Sequence, residues 1–285
     1  MPRPKPLIYR LVFLTALLVT WSTLDAQEPV RDGEAVYSFG VVPQFEQRKL
    51  FRIWRPILDE LERRTKLTFH LVGSPKIPVF EQKFMTGVYD FAYMNPYHIL
   101  IAKDKQGYEP LVRDGSRSLN GILVVAKESP YEKPSDLSNK VIAFPAPNAL
   151  GASLLMRADL TELHGIEVHP KYVQTHSSVY LHVATGLTEA GGGVLRTLRA
   201  QDSEVRDRLR VLYKTRPINP HPIAAHPRVP VEHQERVRRA ILDMAMTSKG
   251  KELLSKIPMR QAVRSRIEDY SELREWNLEN YYVDH

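Results

Sequence analysis

Three short stretches place polar side chains where a strand pattern gives way to a helix pattern. They are Tyr93-Met94-Asn95-Pro96-Tyr97-His98, the run from Phe144 to Ser153 (FPAPNALGAS), and Thr175-His176-Ser177-Ser178-Val179-Tyr180. In open α/β sheets, the crevice beyond the carboxyl ends of the strands is where ligands bind. The first turn of a helix there holds backbone N–H groups with no partner inside the helix, and these favour anions. Asn148 and Ser177 or Ser178 can cap such groups, so any one junction alone reads as a plain helix start. Three junctions at comparable places point instead to a shared pocket.

Other chemistries fall away. The chain has no cysteine, which excludes a disulfide scaffold, a zinc-thiolate or iron–sulfur site, a thiol nucleophile and a lipid-modified N-terminal cysteine. His221 and His226 (HPIAAH) are five apart and interrupted by proline, so they do not share a helix face. They read as a loop at a hinge, and neither a metal nor a cofactor is expected. His233-Gln234-Glu235 lacks the second histidine of a metalloprotease helix. The junction loops hold no carboxylate pair, so no catalytic residue is expected and an enzyme on this framework is disfavoured. Gly191-Gly192-Gly193 marks either a close backbone approach to a ligand or a tight strand under a helix. Trp276, Tyr281 and Tyr282 read as packing against a lobe. Arg236, Arg238 and Arg239 share a helix with Glu235 and Asp243, which describes a solvated face and not a nucleic-acid surface.

The elements that must position these residues follow from periodicity. The sequence has 285 residues, 43% hydrophobic and 26% charged, with a formal net charge of +7. That is enough chain for one large domain or two lobes with real cores. Arg3, Lys5 and Arg10 precede eleven mostly apolar residues, 11–21. This run is too short to span a bilayer but suits a signal peptide, with cleavage expected after Ala26. The segment carries three bases and Asp25, so the expected mature chain has a net charge of 7 − 2 = +5. Such a leader, in a chain without cysteine, points to a soluble periplasmic protein.

Strands are expected at 35–42, 67–72, 89–94, 108–112, 121–126, 141–144, 168–173, 190–194 and 211–214. Helices are expected at 49–65, 79–86, 150–164, 177–185, 195–209, 230–247 and 250–257, with one more starting at Pro96. In the first helix, Leu50, Ile53, Trp54, Ile57, Leu58 and Leu61 recur at helical spacing. The tail beyond Pro258 reads only as helix plus turn. Strand–helix alternation predicts parallel α/β sheets with helices on both faces, built twice over. Extended segments near 118–126 and 212–222 join the two halves. The expected organisation is a leader 1–26, a first lobe of 27–124 with 222–285, and a second lobe of 125–221, hinged around a cleft.

Several stretches, in order and spacing, resemble the phosphate/phosphite/phosphonate-binding family, the periplasmic receptors of phosphonate-type ABC importers. They are Gly40-Val41-Val42-Pro43, Asp90-Phe91-Ala92-Tyr93 with Pro96 and Tyr97, and Pro134-Ser135-Asp136-Leu137 onward to Ala143. Pro147 with Gly151, Thr175-His176 through Gly186 to Ala190, and Pro217-Ile218 with Pro222 complete the set. The resemblance covers about residues 37–257 and leaves out the tail. It implies the type 2 periplasmic-binding fold and a binding role, with a small, anionic, phosphate-, phosphite- or phosphonate-like solute.

The ligand site departs from the family pattern. The family's Ser/Thr run falls here on Asn148, Ala149 and Leu150. Its first-lobe tyrosines align with Ile77 and Met94, and its acidic residues fall near Arg196 and His221. Only the histidine of the third junction is kept, as His176. Three lost hydroxyl hydrogen bonds to a charged group amount to ~4–5 kcal/mol, on the order of a thousandfold in affinity. What the resemblance implies for this chain is a site of Asn148 and the amides of Leu150 and Gly151. His176, Ser177 and Ser178 join from the next junction, Tyr93, Asn95 and Tyr97 from the opposite lobe, and Arg196 as a charge partner. The expected partners are the solute and an inner-membrane ABC permease, with a membrane histidine kinase as the alternative for a sensory receptor. A monomer is expected.

Overall fold

The computed structural model describes residues 35–284, together with Met1. The expected leader and its cleavage after Ala26 lie outside the described residues. Residues 35–284 fall within one compact unit, built on two sheets.

The chain opens with β1 (Val36–Val41), α1 (Gln47–Thr65), β2 (Thr68–Val72), α2 (Ile77–Met85), β3 (Phe91–Tyr93), α3 (Pro96–Gln106) and β4 (Glu109–Asp114). The side chain of Glu46 accepts from the amides of Arg48 and Lys49 and fixes the start of α1. Leu50, Trp54, Ile57, Leu58 and Leu61 are buried along one stripe of it. Each such side chain contributes about 1.5–3 kcal/mol of apolar burial, which outweighs the cost of Pro56 within the helix. Lys66 closes the helix in the left-handed conformation at φ 58°.

The second sheet follows. Its elements are β5 (Gly121–Ala126), β6 (Val141–Phe144), α4 (Leu155–Glu162), β7 (His169–Tyr172), α5 (His176–Ala184), β8 (Ala190–Val194), α6 (Leu195–Arg199), α7 (Ser203–Arg206) and β9 (Leu209–Lys214). A π turn at Leu150–Leu154 leads into α4. Alternate residues of β5 feed opposite faces, as strand geometry demands. Leu123 and Val125 pack with Phe144 and Met156 on one side, and Ile122 and Val124 with Tyr180 and Leu198 on the other. The chain then returns through β10 (Ile223–Ala225), α8 (Val231–Met244), α9 (Ser248–Ser255) and β11 (Ala262–Arg264), and ends in 3-10 turns at Ile267–Trp276 and Leu278–Asn280.

The first sheet has the order β11-β4-β10-β3-β1-β2 and the second β7-β6-β8-β5-β9. Both are mixed, where strand–helix alternation alone predicts parallel sheets. β1 runs parallel to β2 and β3, but β10 is antiparallel to β3 and β4, and β11 to β4. In the second sheet β6 is parallel to β7 and β8, while β5 is antiparallel to β8 and β9. Apart from β11, the antiparallel members are strands next to the chain's passages between the sheets, where direction is set by entry from the other half.

Those passages are shorter than expected. All six residues of β5 pair in the second sheet, so a boundary at residue 124 divides a strand, and the change of sheet comes before Gly121. The two crossings run side by side, joined by an antiparallel bridge in which Leu119 and Ile218 exchange amide–carbonyl bonds of 2.8 and 2.9 Å. Thr215 Oγ1 accepts from the Gly121 amide at 2.8 Å and ties the second crossing to the first. The helix expected over 195–209 is two short helices, because Asp202 stands in extended conformation between them and Leu209 already opens β9.

The triple glycine is settled by packing. A Cβ on Gly192 would lie 1.8 Å from the carbonyl oxygen of Ala152, and one on Gly193 would lie 2.1 Å from the Tyr180 hydroxyl. This is a strand pressed under the π turn and α5.

Candidate functional site

The parallel strands β1, β3, β6 and β8 end facing one another, and the turns after them enclose a cavity between the sheets. Gln44 follows β1, Asn95 follows β3, Leu150 and Gly151 open the π turn after β6, and His176 opens α5. His221 enters from the second crossing. The volume is about 20 Å³, roughly what one water requires. No carboxylate lines it among the described residues.

The cavity's polar groups form a directed set. The Gln44 side chain accepts from an Arg196 N–H at 3.4 Å, and its amide nitrogen lies 3.2 Å from His221 Nε2. With that amide donating, His221 is neutral and carries its proton on Nδ1. The His221 ring stacks on Tyr93, centroids 5.3 Å apart. Burial pushes the His221 pKa down to about 3, helped by the nearby His98, Arg196 and His176. His176 Nδ1 lies 3.4 Å from Thr197 Oγ1. Burial, then the Arg196 charge, pushes its pKa down to about 4. Both rings are therefore neutral at pH 7.

Two of the helix starts that meet here have no side-chain cap. Lys76 precedes α2 and Ala149 precedes the π turn, and neither accepts from the following amides. The first-turn N–H groups behind Ile77 and Leu150 are thus of the kind that attract anions. The other two starts are capped. Asn95 Oδ1 accepts from Tyr97 and His98 at 2.9 and 2.7 Å, and Thr175 Oγ1 accepts from Ser178 at 3.1 Å.

Of the ten residues singled out from sequence, the structure brings Asn95, Leu150, Gly151 and His176 to this cavity. Tyr93 is buried behind His221, and its hydroxyl has no hydrogen-bond partner among the described residues. Arg196 reaches the set through Gln44 and lines a neighbouring cavity. Ser177 is exposed, and Ser178 turns its hydroxyl to Thr175 at 2.9 Å. Tyr97 and Asn148 meet the C-terminal segment instead.

That segment crosses from the first half to the second. The Asn148 side chain donates to the Val283 carbonyl at 2.8 Å and accepts from the Val283 amide at 2.9 Å. It also donates to Glu81 Oε2 at 3.2 Å, and Glu81 bonds His98 at 3.0 Å in a fully buried pair. Arg157 donates to the Tyr281 carbonyl at 2.6 Å, and the Tyr282 ring packs on Tyr97 at 5.6 Å. Trp276 receives Arg216 of the second crossing at 4.3 Å, and Arg216 also pairs with the buried Asp159 at 2.9 Å. Ala149, Leu150, Ala152 and Leu155 join one apolar cluster with Trp54, Ile77 and Tyr93 of the first half. The two halves are sealed by apolar contact and by the tail.

Sequence reasoning passed over Gln44 and left His221 as a hinge-loop residue. Gln44 lay one position past the strand-ending Pro43, so the rule placing ligands beyond strand ends was enough to find it. His221 carried no local signal, since its seat depends on where the second crossing meets β3.

The sequence model of one family, described as "ABC transporter, phosphonate, periplasmic substrate-binding protein", matches residues 39–270. Among solved structures, a binding protein component of an ABC phosphonate transporter from Pseudomonas aeruginosa superimposes with a TM-score of 0.77 at 15% identity, covering 85% of each chain. PhnD1 from Prochlorococcus marinus, solved in complex with methylphosphonate, also gives 0.77 at 15% identity, covering 87% of this chain and 99% of its own. The periplasmic VFT2 domain of Bordetella pertussis BvgS gives 0.52 at 20% identity, covering 78% and 92%. At these identities the likeness to the solved structures is one of fold.

Proposed function

The chain belongs to the family of periplasmic substrate-binding proteins of phosphonate ABC transporters, and on that premise we propose that it takes a small phosphonate-type anion into the cleft between its two sheets. Binding is the whole of its chemistry in this reading, and the closed, loaded form is what the membrane permease receives. One observation carries the choice of ligand. The cleft cavity is lined by two neutral histidines, two side-chain amides and two uncapped helix starts, with no carboxylate among the described residues. An anion there meets donors and no like charge.

The histidines supply the adaptable part of the site. A neutral imidazole donates one N–H, and beside a bound anion it takes up a proton and becomes a charged donor. The helix starts supply fixed donors that need no reorganisation. The apolar seal between the halves excludes water and strengthens each of these contacts. The two crossings joined at Leu119 and Ile218 serve as the hinge. The leader 1–26 is removed on export, and the mature protein works as a monomer.

A thermal-shift panel of methylphosphonate, phosphate, phosphite and small carboxylates tests this reading. A phosphonate-type ligand at about a hundred times its dissociation constant adds ~2.7 kcal/mol, a shift of several degrees. A panel in which only carboxylates stabilise, or none of these compounds does, overturns the choice of ligand.

A further inference from the structure

Beside the cleft lies a second cavity of about 300 Å³, the size at which small-molecule sites begin. It shares Leu119 and His221 with the cleft and so lies on the crossing side of the same interface. Its walls come from both halves. Arg117 stands in the first crossing and Arg260 just before β11, while Arg196 and Arg199 belong to α6 and Lys214 ends β9.

Asp114 is the sole acidic residue lining it among the described residues. The Asp114 carboxylate is already engaged. It accepts from Ser116 Oγ at 3.0 Å and from the Gln261 amide at 2.9 Å, with Arg117 3.7 Å away. Arg196, Arg199, Lys214 and Arg260 form no ion pair with a carboxylate of the described residues. Arg196 is fixed in place. The Lys256 carbonyl and Gln44 hold its guanidinium, and the Phe45 ring lies 5.2 Å from it. Burial and then the nearby Arg117 charge both press its pKa downward.

Five cations against one carboxylate leave four positive charges facing one volume. A dianion such as a monophosphonate neutralises half of them, while a tri- or tetra-anion neutralises nearly all. The cavity also has room that the cleft lacks, about 300 against about 20 Å³.

We propose that this cavity is a second anion site, which takes a ligand carrying linked phosphates, a di- or triphosphate group, and bridges the two halves at their crossings. The assignment of this site does not rest on which solute the cleft takes. Because its walls belong to both halves, its occupant favours one hinge angle over others, which couples it to the cleft.

Calorimetric titration of the exported full chain with inorganic triphosphate tests the proposal. The wild type is expected to bind, and Arg199→Glu/Arg260→Glu to bind at least tenfold more weakly. Arg52→Glu/Lys105→Glu makes the same change of net charge at exposed positions outside the cavity, and is expected to stay within about twofold of wild type. A parallel titration with a nucleoside triphosphate assigns the source. Equal affinity assigns the free phosphate chain, and tighter binding assigns the nucleotide, both in support. The proposal is overturned if the wild type does not bind triphosphate, or if both double variants lose affinity alike. It is also overturned if His176→Ala abolishes triphosphate binding while Arg199→Glu/Arg260→Glu does not. Methylphosphonate, titrated alongside, reports on the cleft separately, so its failure to bind leaves the triphosphate result to stand by itself.

Discussion

His176 and His221 are buried in the cleft and neutral, with pKa values pushed down to about 4 and about 3 by loss of solvent. The ordinary histidine value is about 6.5. The folded values lie below the unfolded one, so between them the unfolded chain binds more protons and stability rises with pH. Stability is therefore complete above pH 6.5 and falls as pH drops toward 4. Each ring loses about 2 kcal/mol between pH 6.5 and 5, at ~1.4 kcal/mol per unit. His226, also pushed down by burial, adds in the same direction. Denaturant melts at pH 7, 6 and 5 are expected to show the slope, and His221→Gln to flatten part of it. A wild-type midpoint that does not move over this range contradicts the account of these residues. His176 itself was legible as a junction residue. The fate of Asn148 was not, because its partner Val283 lies 135 positions away and spacing within one junction cannot show it.

The tail from Leu278 onward behaves as a clasp between the halves. Two Asn148–Val283 bonds, the Arg157–Tyr281 bond and the Tyr97–Tyr282 contact join the first half to the second. At about 0.5–1.5 kcal/mol per hydrogen bond, the three bonds favour the closed arrangement by ~2–4 kcal/mol. The closed, loaded form keeps the same bonds, so a ligand that enters through the open form meets that bias as slower association and not as reduced affinity. Deleting residues 281–285 is therefore expected to speed methylphosphonate association and to lower the melting temperature by a few degrees. An unchanged association rate together with an unchanged melt in the truncated protein contradicts the clasp. Most elements were readable from local pattern. The stripe of α1 from Leu50 to Leu61 and the alternation of β5 state their own periods. Strand direction was not readable, since β10 lies antiparallel to β3 and β4 only through a return from the other sheet. The break between α6 and α7 was missed because a charged helical pattern carries no mark of where Asp202 interrupts it.

At the scale of the molecule, two mixed sheets meet across a sealed interface and are joined by two crossings paired at Leu119 and Ile218. The doubled arrangement and the place of the cleft were legible, because strand–helix junctions recur at like positions in both halves. The closeness of the seal was not, since it depends on Leu150 and Ile77, from different halves, joining one apolar cluster. In the proposed function this seal opens for a phosphonate-type anion and closes on it through His176. Calorimetric titration of methylphosphonate into wild type and His176→Ala, beside a denaturant melt of each, measures this most directly. Loss of a hydrogen bond to a charged ligand costs about 1.5–3 kcal/mol, so the variant is expected to bind roughly ten- to a hundredfold more weakly, with a melt shifted by no more than the ~1 kcal/mol of the lost contact with Thr197. Equal affinity in the two proteins, with only the melt shifted, makes His176 a structural residue and contradicts the account.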